Sequence, residues 1–301
     1  MEVREILRSN IDRSINMILT HSNGGIVETR SVQRTDDTLI IYLSSDIGCN
    51  LSCRMCHLTQ TGQTKSSILT IEDFQDQALS IFNLLKEENK LGDVKVVHFN
   101  FMARGDFLLN HNALIYFEHL YIVLTKIADS FIQGVSVQYK LSSIFPKESC
   151  LFNRNREDRK IWIRDRILDL DESIEFYYSL YSLKPDFRKR WLPKAADPET
   201  IGELFSGLDH GLRIHHALIA GQNDTEEDIA LIHDWLERHD LHVKMNIVRY
   251  NPFDEKAGVE SSDDKIQTYV QQMQLSHRVD LIQIIPRVGT DCAASCGVFV
   301  N

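Results

Sequence analysis

The sequence predicts an α/β fold, a partial TIM-like (β/α)6 barrel with a short N-terminal helical and strand extension. Apolar strand-like runs recur along the 301 residues, and helical segments of about 10–15 residues separate most of them, as parallel β/α units require. No linker-like stretch interrupts this series. We therefore expect a short helical extension over residues 1–24 and one barrel domain over residues 25–301.

The individual elements follow in order along the chain. Strand-like runs cover residues 39–45, 94–101, 134–141, 174–182, 212–220, 242–250 and 279–286. The first helix has a clear start signal, because Thr70 looks like an N-cap and Asp73 follows three residues later. Further helical segments cover 113–131, 225–239 and a stretch near 262–276. In a TIM-type barrel the loops after the strands carry the chemistry, so we expect functional residues there.

Charge and hydropathy narrow the choice of partners. The chain has 33 basic and 43 acidic residues, a formal net charge of −10, which argues against a broad nucleic-acid-binding face. Two basic stretches, 153–166 and 184–191, either contact phosphates or form solvated helix faces. No apolar run is long enough to span a bilayer, and the charged start lacks a signal-peptide apolar region. The sequence thus predicts a cytoplasmic protein without a membrane partner.

A tight group of cysteines follows the first barrel strand. The segment GCNLSCRMC places Cys49, Cys53 and Cys56 within eight residues, a spacing typical of a metal or redox site. Three thiolates in one loop can hold three corners of a [4Fe–4S] cluster. The fourth iron is then free to chelate the amino and carboxylate groups of S-adenosylmethionine (SAM). A structural zinc site and a four-thiolate cluster are the alternatives, although no second Cys or His pair follows at similar spacing.

At this loop the sequence resembles the radical SAM methyltransferases of the RlmN/Cfr family, which methylate adenine carbons in RNA. The resemblance runs from about residue 26 to residue 297 and rests on several separated motifs. They include LSSDIGCNLSCRMC (43–56), ARGDFLLN (103–110), GQNDTEED (221–228), MNIVRYNPF (245–253) and GTDCAASCG (289–297). The resemblance implies a [4Fe–4S] cluster and SAM as cofactors, and an electron donor such as flavodoxin or ferredoxin.

The family motifs also imply roles for single residues. Those that the resemblance assigns to SAM binding are Gly105, Asp106, Ser142, Ser179, Leu180, Tyr181 and Asn251. Three positions depart from the family pattern: Asp106 replaces a glutamate, Lys140 stands where a serine contacts SAM, and Tyr181 replaces a histidine.

The resemblance assigns two catalytic residues as well. Cys296 corresponds to the cysteine that becomes methylated, and Glu28, in IVETRSV (26–32), to the proton-accepting glutamate. The family's second cysteine, which breaks the bond between protein and substrate by forming a disulfide, would stand at Tyr42. Cys292 is a hypothetical substitute, since thiol–disulfide exchange requires only a reachable thiolate. The family also carries an RNA-binding domain before the barrel, whereas about 25 residues precede the match here.

Three hypotheses of function follow. The first is a radical SAM methyltransferase that acts on an sp2 carbon of an adenine-like base, in RNA or a nucleotide, with Cys296 as methyl carrier. The second retains the cluster and SAM but uses the 5′-deoxyadenosyl radical on another substrate without methyl transfer, which Tyr42, Lys140 and Tyr181 favour. The third is a binding protein that holds a cluster or zinc.

Overall fold

The computed structural model describes residues 1–208 and 212–300 and contains one sheet of ten strands in sequential order. Residues 209–211 and 301, which belong to the predicted barrel domain, lie outside the described part. The strands are β1 (Glu2–Arg8), β2 (Ile15–Thr20), β3 (Ile26–Thr35), β4 (Thr38–Tyr42), β5 (Val96–Phe101), β6 (Ser136–Ser143), β7 (Ile174–Ser179), β8 (Leu212–His216), β9 (Val243–Val248) and β10 (Val279–Ile285).

The direction of the strands divides this sheet into two parts. β1 to β4 pair antiparallel, and β4 to β10 pair parallel, so seven parallel strands form the barrel wall. β3 and β10 are seven places apart in the sheet, yet residues of both line one cavity. The sheet is therefore curled into a partial barrel, and the predicted fold class is confirmed.

Nine helices lie in the described part of the chain, most of them in the connections between parallel strands. They are α1 (His57–Gln60), α2 (Ile71–Glu87), α3 (His111–Ile115), α4 (Phe117–Phe131), α5 (Arg156–Arg166), α6 (Pro185–Trp191), α7 (Pro198–Phe205), α8 (Glu226–Arg238) and α9 (Asp263–Met273). The predicted start of α2 is confirmed, because Thr70 and Asp73 form a reciprocal capping box. None of the described helices is long and apolar enough to cross a bilayer.

The two faces of the barrel strands differ in chemistry. On β5, Val97, Phe99 and Phe101 are buried in the main hydrophobic core, which helices such as α2 and α4 cover. The alternate residues His98 and Asn100 line the cavity inside the barrel. Because successive side chains of a strand point to opposite faces, this alternation gives the wall an apolar outside and a polar inside.

The N-terminal segment differs from the prediction of a helix over residues 1–24. This segment forms β1 and β2, which pair with each other and then with β3. Ile15, Met17 and Leu19 are buried in the main core. Extended pairing therefore buries these side chains and satisfies the backbone of β2 on both sides, and this long-range gain outweighs the local helical pattern.

His216, at the end of β8, makes stability depend on pH. Burial lowers the pKa of this fully buried imidazole to about 4, against an ordinary value near 6.5. The unfolded chain therefore binds the proton more readily between pH 6.5 and 4, and stability falls as the pH falls through this range. We expect a loss of about 2 kcal/mol from His216 at pH 5 relative to pH 7.

Urea unfolding of the cluster-free protein at pH 7 and pH 5 measures this loss. His216→Gln, which cannot titrate, should show a smaller decrease in unfolding free energy between the two pH values. An equal decrease in the variant and the parent would contradict this assignment.

Candidate active site

The three predicted cluster ligands come together in the structure. Cys49, Cys53 and Cys56 line a cavity of about 150 Å³ at the carboxyl ends of the barrel strands. Gly48 permits the tight path of their loop, because a Cβ at this position would lie 2.3 Å from the carbonyl oxygen of Lys65. The loop is thus shaped to present three sulfur atoms to one cavity.

The thiols of this loop would need a bound cation in order to act as thiolate ligands. In the described ranges no three Cys, His, Asp or Glu side chains are grouped as the ligands of one metal ion are. Burial raises the pKa of the Cys49 thiol to about 12 and that of Cys56 to about 11. Free thiols here would stay protonated, so the positive charge of bound iron is what would convert them to thiolate ligands.

Most of the residues predicted to bind SAM border the same cavity. Five of them line it: Gly105, Asp106, Ser142, Ser179 and Tyr181. Gly105 has a φ of +87°, and a Cβ there would lie 2.6 Å from Ser45 Oγ, so glycine is required. These residues follow different strands but meet at one end of the barrel, as parallel strand order requires.

Among the described residues, Asp106 is the one acidic residue that lines this cavity. It accepts hydrogen bonds from Ser143 Oγ at 2.7 Å and from the backbone N–H groups of Leu108 and Ile144, both at 3.0 Å. Burial raises its pKa to about 6. A cationic ligand group would therefore favour the ionised form of Asp106, which suits a contact with an ammonium.

Two of the predicted SAM residues lie elsewhere. The Leu180 side chain is fully buried in the main core and does not line either cavity of this site. Asn251 borders the neighbouring cavity, and its Nδ2 donates to the carbonyl oxygen of Cys296 at 3.0 Å. Contact of Leu180 and Asn251 with SAM stays a prediction.

A second cavity of about 210 Å³ occupies the inside of the barrel, and we call it the lumen. It shares four lining residues with the cysteine cavity: Met102, His215, Val248 and Cys296. Cys296 is an exposed residue of this chain, and its exposed surface faces these two cavities. A cysteine thiol therefore lies at the boundary between the two cavities.

The lumen carries positive charge. Five cationic side chains line it, and its lining contains no Asp or Glu from the described ranges; the five are Arg30, Arg34, Lys140, Arg249 and Arg287. Burial lowers the pKa of His98 to about 4 and that of His215 to about 3, so both imidazoles are neutral at pH 7. The arginine and lysine side chains alone supply the charge.

The carboxyl-terminal segment, residues 286–300, closes the space between β10 and β3, and we call it the tail. Arg30 donates to the carbonyl oxygens of Ser295 at 3.1 Å and Val298 at 2.6 Å. Arg104 donates to the carbonyl oxygen of Val300 at 3.0 Å. Two buried guanidinium groups therefore hold the tail, including the segment that carries Cys296.

Glu28 holds these two arginines. Its carboxylate is fully buried and pairs with Arg30 Nη2 at 2.8 Å and Arg104 Nη2 at 2.8 Å. Asn16 Nδ2 and the backbone N–H of Val300 also donate to it, at 2.9 and 3.2 Å. Both oxygens are thus occupied, and Glu28 does not line the lumen. The role of Glu28 as proton acceptor stays a prediction, and its contacts support a positioning role.

The candidate resolving thiol is also remote from the lumen. Cys292 is buried and directs its sulfur toward the carbonyl oxygens of Gly289 at 3.6 Å and Ser14 at 3.9 Å. Tyr42, at the position of the family's second cysteine, lines the lumen instead.

Sequence reasoning missed most of the lumen wall. Arg30 lies within IVETRSV (26–32), but that motif pointed only to Glu28. His98, Asn100 and Asn246 sit inside otherwise apolar strands. The signal that could have found them is their period-two spacing, since polar residues at alternate positions of a buried strand must face a common polar space.

Comparisons with known proteins agree with this architecture. No family model matches the chain. A crystal structure of a radical SAM methyltransferase from Sphaerobacter thermophilus superimposes with a TM-score of 0.73 at 15% identity, covering 98% of this chain and 80% of that one. The chain therefore has the fold of the radical SAM methyltransferase barrels.

Sequence comparison points to one particular group of methyltransferases. Probable dual-specificity RNA methyltransferases RlmN are 25% identical over 295 residues in Trichormus variabilis and 22% identical over 303 residues in Clostridium botulinum. These alignments cover 95% and 98% of this chain, and 72% and 78% of the relatives. The chain is therefore similar in sequence to the RlmN methyltransferases over nearly its whole length, and the resemblance inferred from its motifs is confirmed.

The buried carboxylate of Glu28 provides a test of the tail contacts. Glu28→Gln removes the charge that Arg30 and Arg104 share and leaves buried cations uncompensated. We expect the unfolding free energy to fall by about 3–5 kcal/mol. Limited proteolysis should also cut the tail before the barrel, because the two arginines lose their fixed orientation.

Glu199→Gln is the matched control. Glu199 is likewise shared by two side chains, Arg238 and His239, but it is half exposed, so its loss should cost less than about 1 kcal/mol. Equal stability of the two variants in urea unfolding would exclude a central role for Glu28.

Proposed function

We propose that this protein is a radical SAM enzyme that methylates an sp2 carbon of an adenine-like base, with Cys296 as the methyl carrier. The observation that carries the proposal is the place of Cys296, which lines both the cysteine cavity and the lumen. A group carried on its sulfur has access to both spaces. A cofactor in one cavity and a substrate in the other would then both lie beside this side chain.

The cofactors of the proposal are a [4Fe–4S] cluster and SAM. Cys49, Cys53 and Cys56 would hold the cluster, and its open iron would take the amino and carboxylate groups of SAM. When bound, the cluster supplies the electron that cleaves the SAM sulfonium, and an electron donor such as flavodoxin or ferredoxin would reduce it. Asp106 is placed to accept a hydrogen bond from the SAM ammonium.

The chain's own residues would orient the methyl carrier. Asn251 holds the carbonyl group of Cys296, and Arg30 holds that of Ser295, so the tail approaches the cavities in one conformation. Desolvation by the surrounding protein raises the pKa of the Cys296 thiol, and the positive charge of Arg30 lowers it. Arg30 therefore favours the thiolate, which is the nucleophilic form.

The proton on the target carbon needs an acceptor. For Glu28 to take it directly, the Arg30 guanidinium would have to leave the carboxylate. We therefore propose that Glu28 acts by positioning Arg30 and the tail.

The second hypothesis, radical chemistry without methyl transfer, has one specific observation in its favour. No cysteine other than Cys296 lines the lumen in the described ranges, since Tyr42 occupies the family position and Cys292 is a buried residue of the tail. Release of a covalent intermediate by disulfide formation therefore has no prearranged thiol. The similarity to methyltransferases over nearly the whole chain favours the first hypothesis.

Product analysis separates the two hypotheses. The protein is purified without oxygen, reconstituted with iron and sulfide, and incubated with SAM and a reductant. We expect S-adenosylhomocysteine and a methyl group on the Cys296 peptide, and Cys296→Ala should abolish both while it retains the cluster. Formation of 5′-deoxyadenosine with an unmodified Cys296 would reject methyl transfer through this residue.

The cluster ligands can be tested without turnover. Cys53→Ala removes one of three sulfur ligands, so iron and sulfide per chain should fall severalfold after reconstitution, together with the visible absorption of the cluster. Cys150→Ala is the matched control, because Cys150 is a half-buried free cysteine that does not line the cavity. Full iron content in Cys53→Ala would remove this residue from the ligand set.

A further inference from the structure

The charges around the lumen are arranged in a repeated pattern. Three carboxylates stand behind the wall, and each is shared by two cations: Glu28 by Arg30 and Arg104, Glu175 by Lys140 and Arg213, and Glu260 by Arg249 and Arg287. In each group the acidic residue does not line the lumen, whereas at least one of its cationic partners does. The groups at Glu28 and Glu175 each contain one more cation than acid, whereas Arg249 also pairs with Asp263, which balances the third group.

One cation that lines the lumen has no acidic partner among the described residues. Arg34, near the end of β3, makes no hydrogen bond or ion pair with an acidic side chain in the described part of the chain, although it lines the lumen. The chain as a whole carries a net charge of −10. A positive cavity inside an acidic protein focuses the field on an anion that enters it.

The position of Arg34 in the sheet shows at which end of the lumen its charge lies. β3 and β4 pair antiparallel, with Arg30 opposite Tyr42 at the end of β4 and Thr35 opposite Thr38 at its start. Arg34 therefore lies at the end of the barrel where the strands begin, one strand length, roughly 13 Å, from the level of Tyr42. Cys296 lies at the other end, beside the cysteine cavity.

A neutral hydrogen-bonding group faces the lumen at the level of Tyr42, near the carboxyl ends of the strands. Asn100 lines the lumen, and its buried Oδ1 has no hydrogen-bond partner. A buried carbonyl oxygen without a partner is costly unless a ligand supplies a donor. An exocyclic amino group of a base is such a donor, and it would place the base between Arg34 and Cys296.

We propose that the substrate is a free nucleotide-like molecule whose terminal phosphate binds near Arg34 and whose base faces Cys296. This inference rests on the proposed function for the identity of the base as adenine. The cavity volume of about 210 Å³ lies below the ~300–1,000 Å³ of most ligand sites, which suits one compact ligand. An RNA chain continues on both sides of each internal phosphate, so an internal phosphate at Arg34 would require the RNA to thread the barrel.

Binding of small probes tests this inference without turnover. Calorimetry on the reconstituted protein, with no reductant present, compares adenosine 5′-monophosphate, adenosine and inorganic phosphate. We expect the monophosphate to bind at least about tenfold more tightly than adenosine, because a charge-assisted contact is added. Inorganic phosphate should compete with the monophosphate.

Arg34→Gln should remove most of the preference for the monophosphate and leave adenosine binding unchanged. Arg34 is exposed, so the variant should fold normally, and its melting temperature checks this. Arg4→Gln is the control, since Arg4 is an exposed arginine on β1 that does not line the lumen.

Equal affinity for adenosine and its monophosphate would overturn the inference, as would failure of all three probes to bind. Tighter binding of an adenine-containing RNA oligonucleotide without a terminal phosphate would do the same and point to RNA instead. None of these outcomes depends on SAM cleavage, so a failed methylation assay and a failed binding assay have separate meanings.

Discussion

The ion pairs between Glu28 and the two buried arginines, Arg30 and Arg104, are the contacts on which the active end of the barrel depends. A carboxylate with no exposure to water is costly unless cations and hydrogen bonds compensate it fully. Here the compensation comes from β3, from the loop after β5 and from the tail, so the same contacts join three parts of the chain. The tail is held because these charges must be satisfied, and Cys296 takes its position from the tail.

The barrel could be predicted from the sequence, whereas its N-terminal extension could not. Strand and helix signals alternate from β4 onward, and each β/α unit is recognised by its own local pattern. Residues 1–24 carry no such pattern, because β1 is stabilised by pairing with β2, and β2 by pairing with β3 and by the burial of Ile15, Met17 and Leu19. These contacts depend on the finished sheet, and a local reading of the sequence cannot include them.

In the candidate site, too, some features could be predicted from the sequence and others could not. Cys49, Cys53 and Cys56 were predicted because one loop carries all three, and the structure brings them to one cavity. The occupied state of Glu28 could not be predicted, since its partners Arg104 and Val300 are distant in sequence. Leu180 lies in a motif that otherwise borders the cavity, yet it faces the core, because its neighbour Ser179 takes the cavity face of the strand.

The residues that differ from the family pattern lie in two different cavities, and the sequence alone does not reveal this distribution. In the sequence, Lys140 stands where the family has a serine that contacts SAM, and Tyr42 stands where it has a cysteine. In the structure, both residues line the lumen. Gly105 and Asp106, which align with the family's SAM motif, border the cysteine cavity instead. Lys140 also carries charge into the lumen, because Glu175 holds it together with Arg213. Two of the changed side chains, Lys140 and Tyr42, thus alter the charge and hydrogen bonding of the lumen, whereas the other two, Asp106 and Tyr181, border the cysteine cavity.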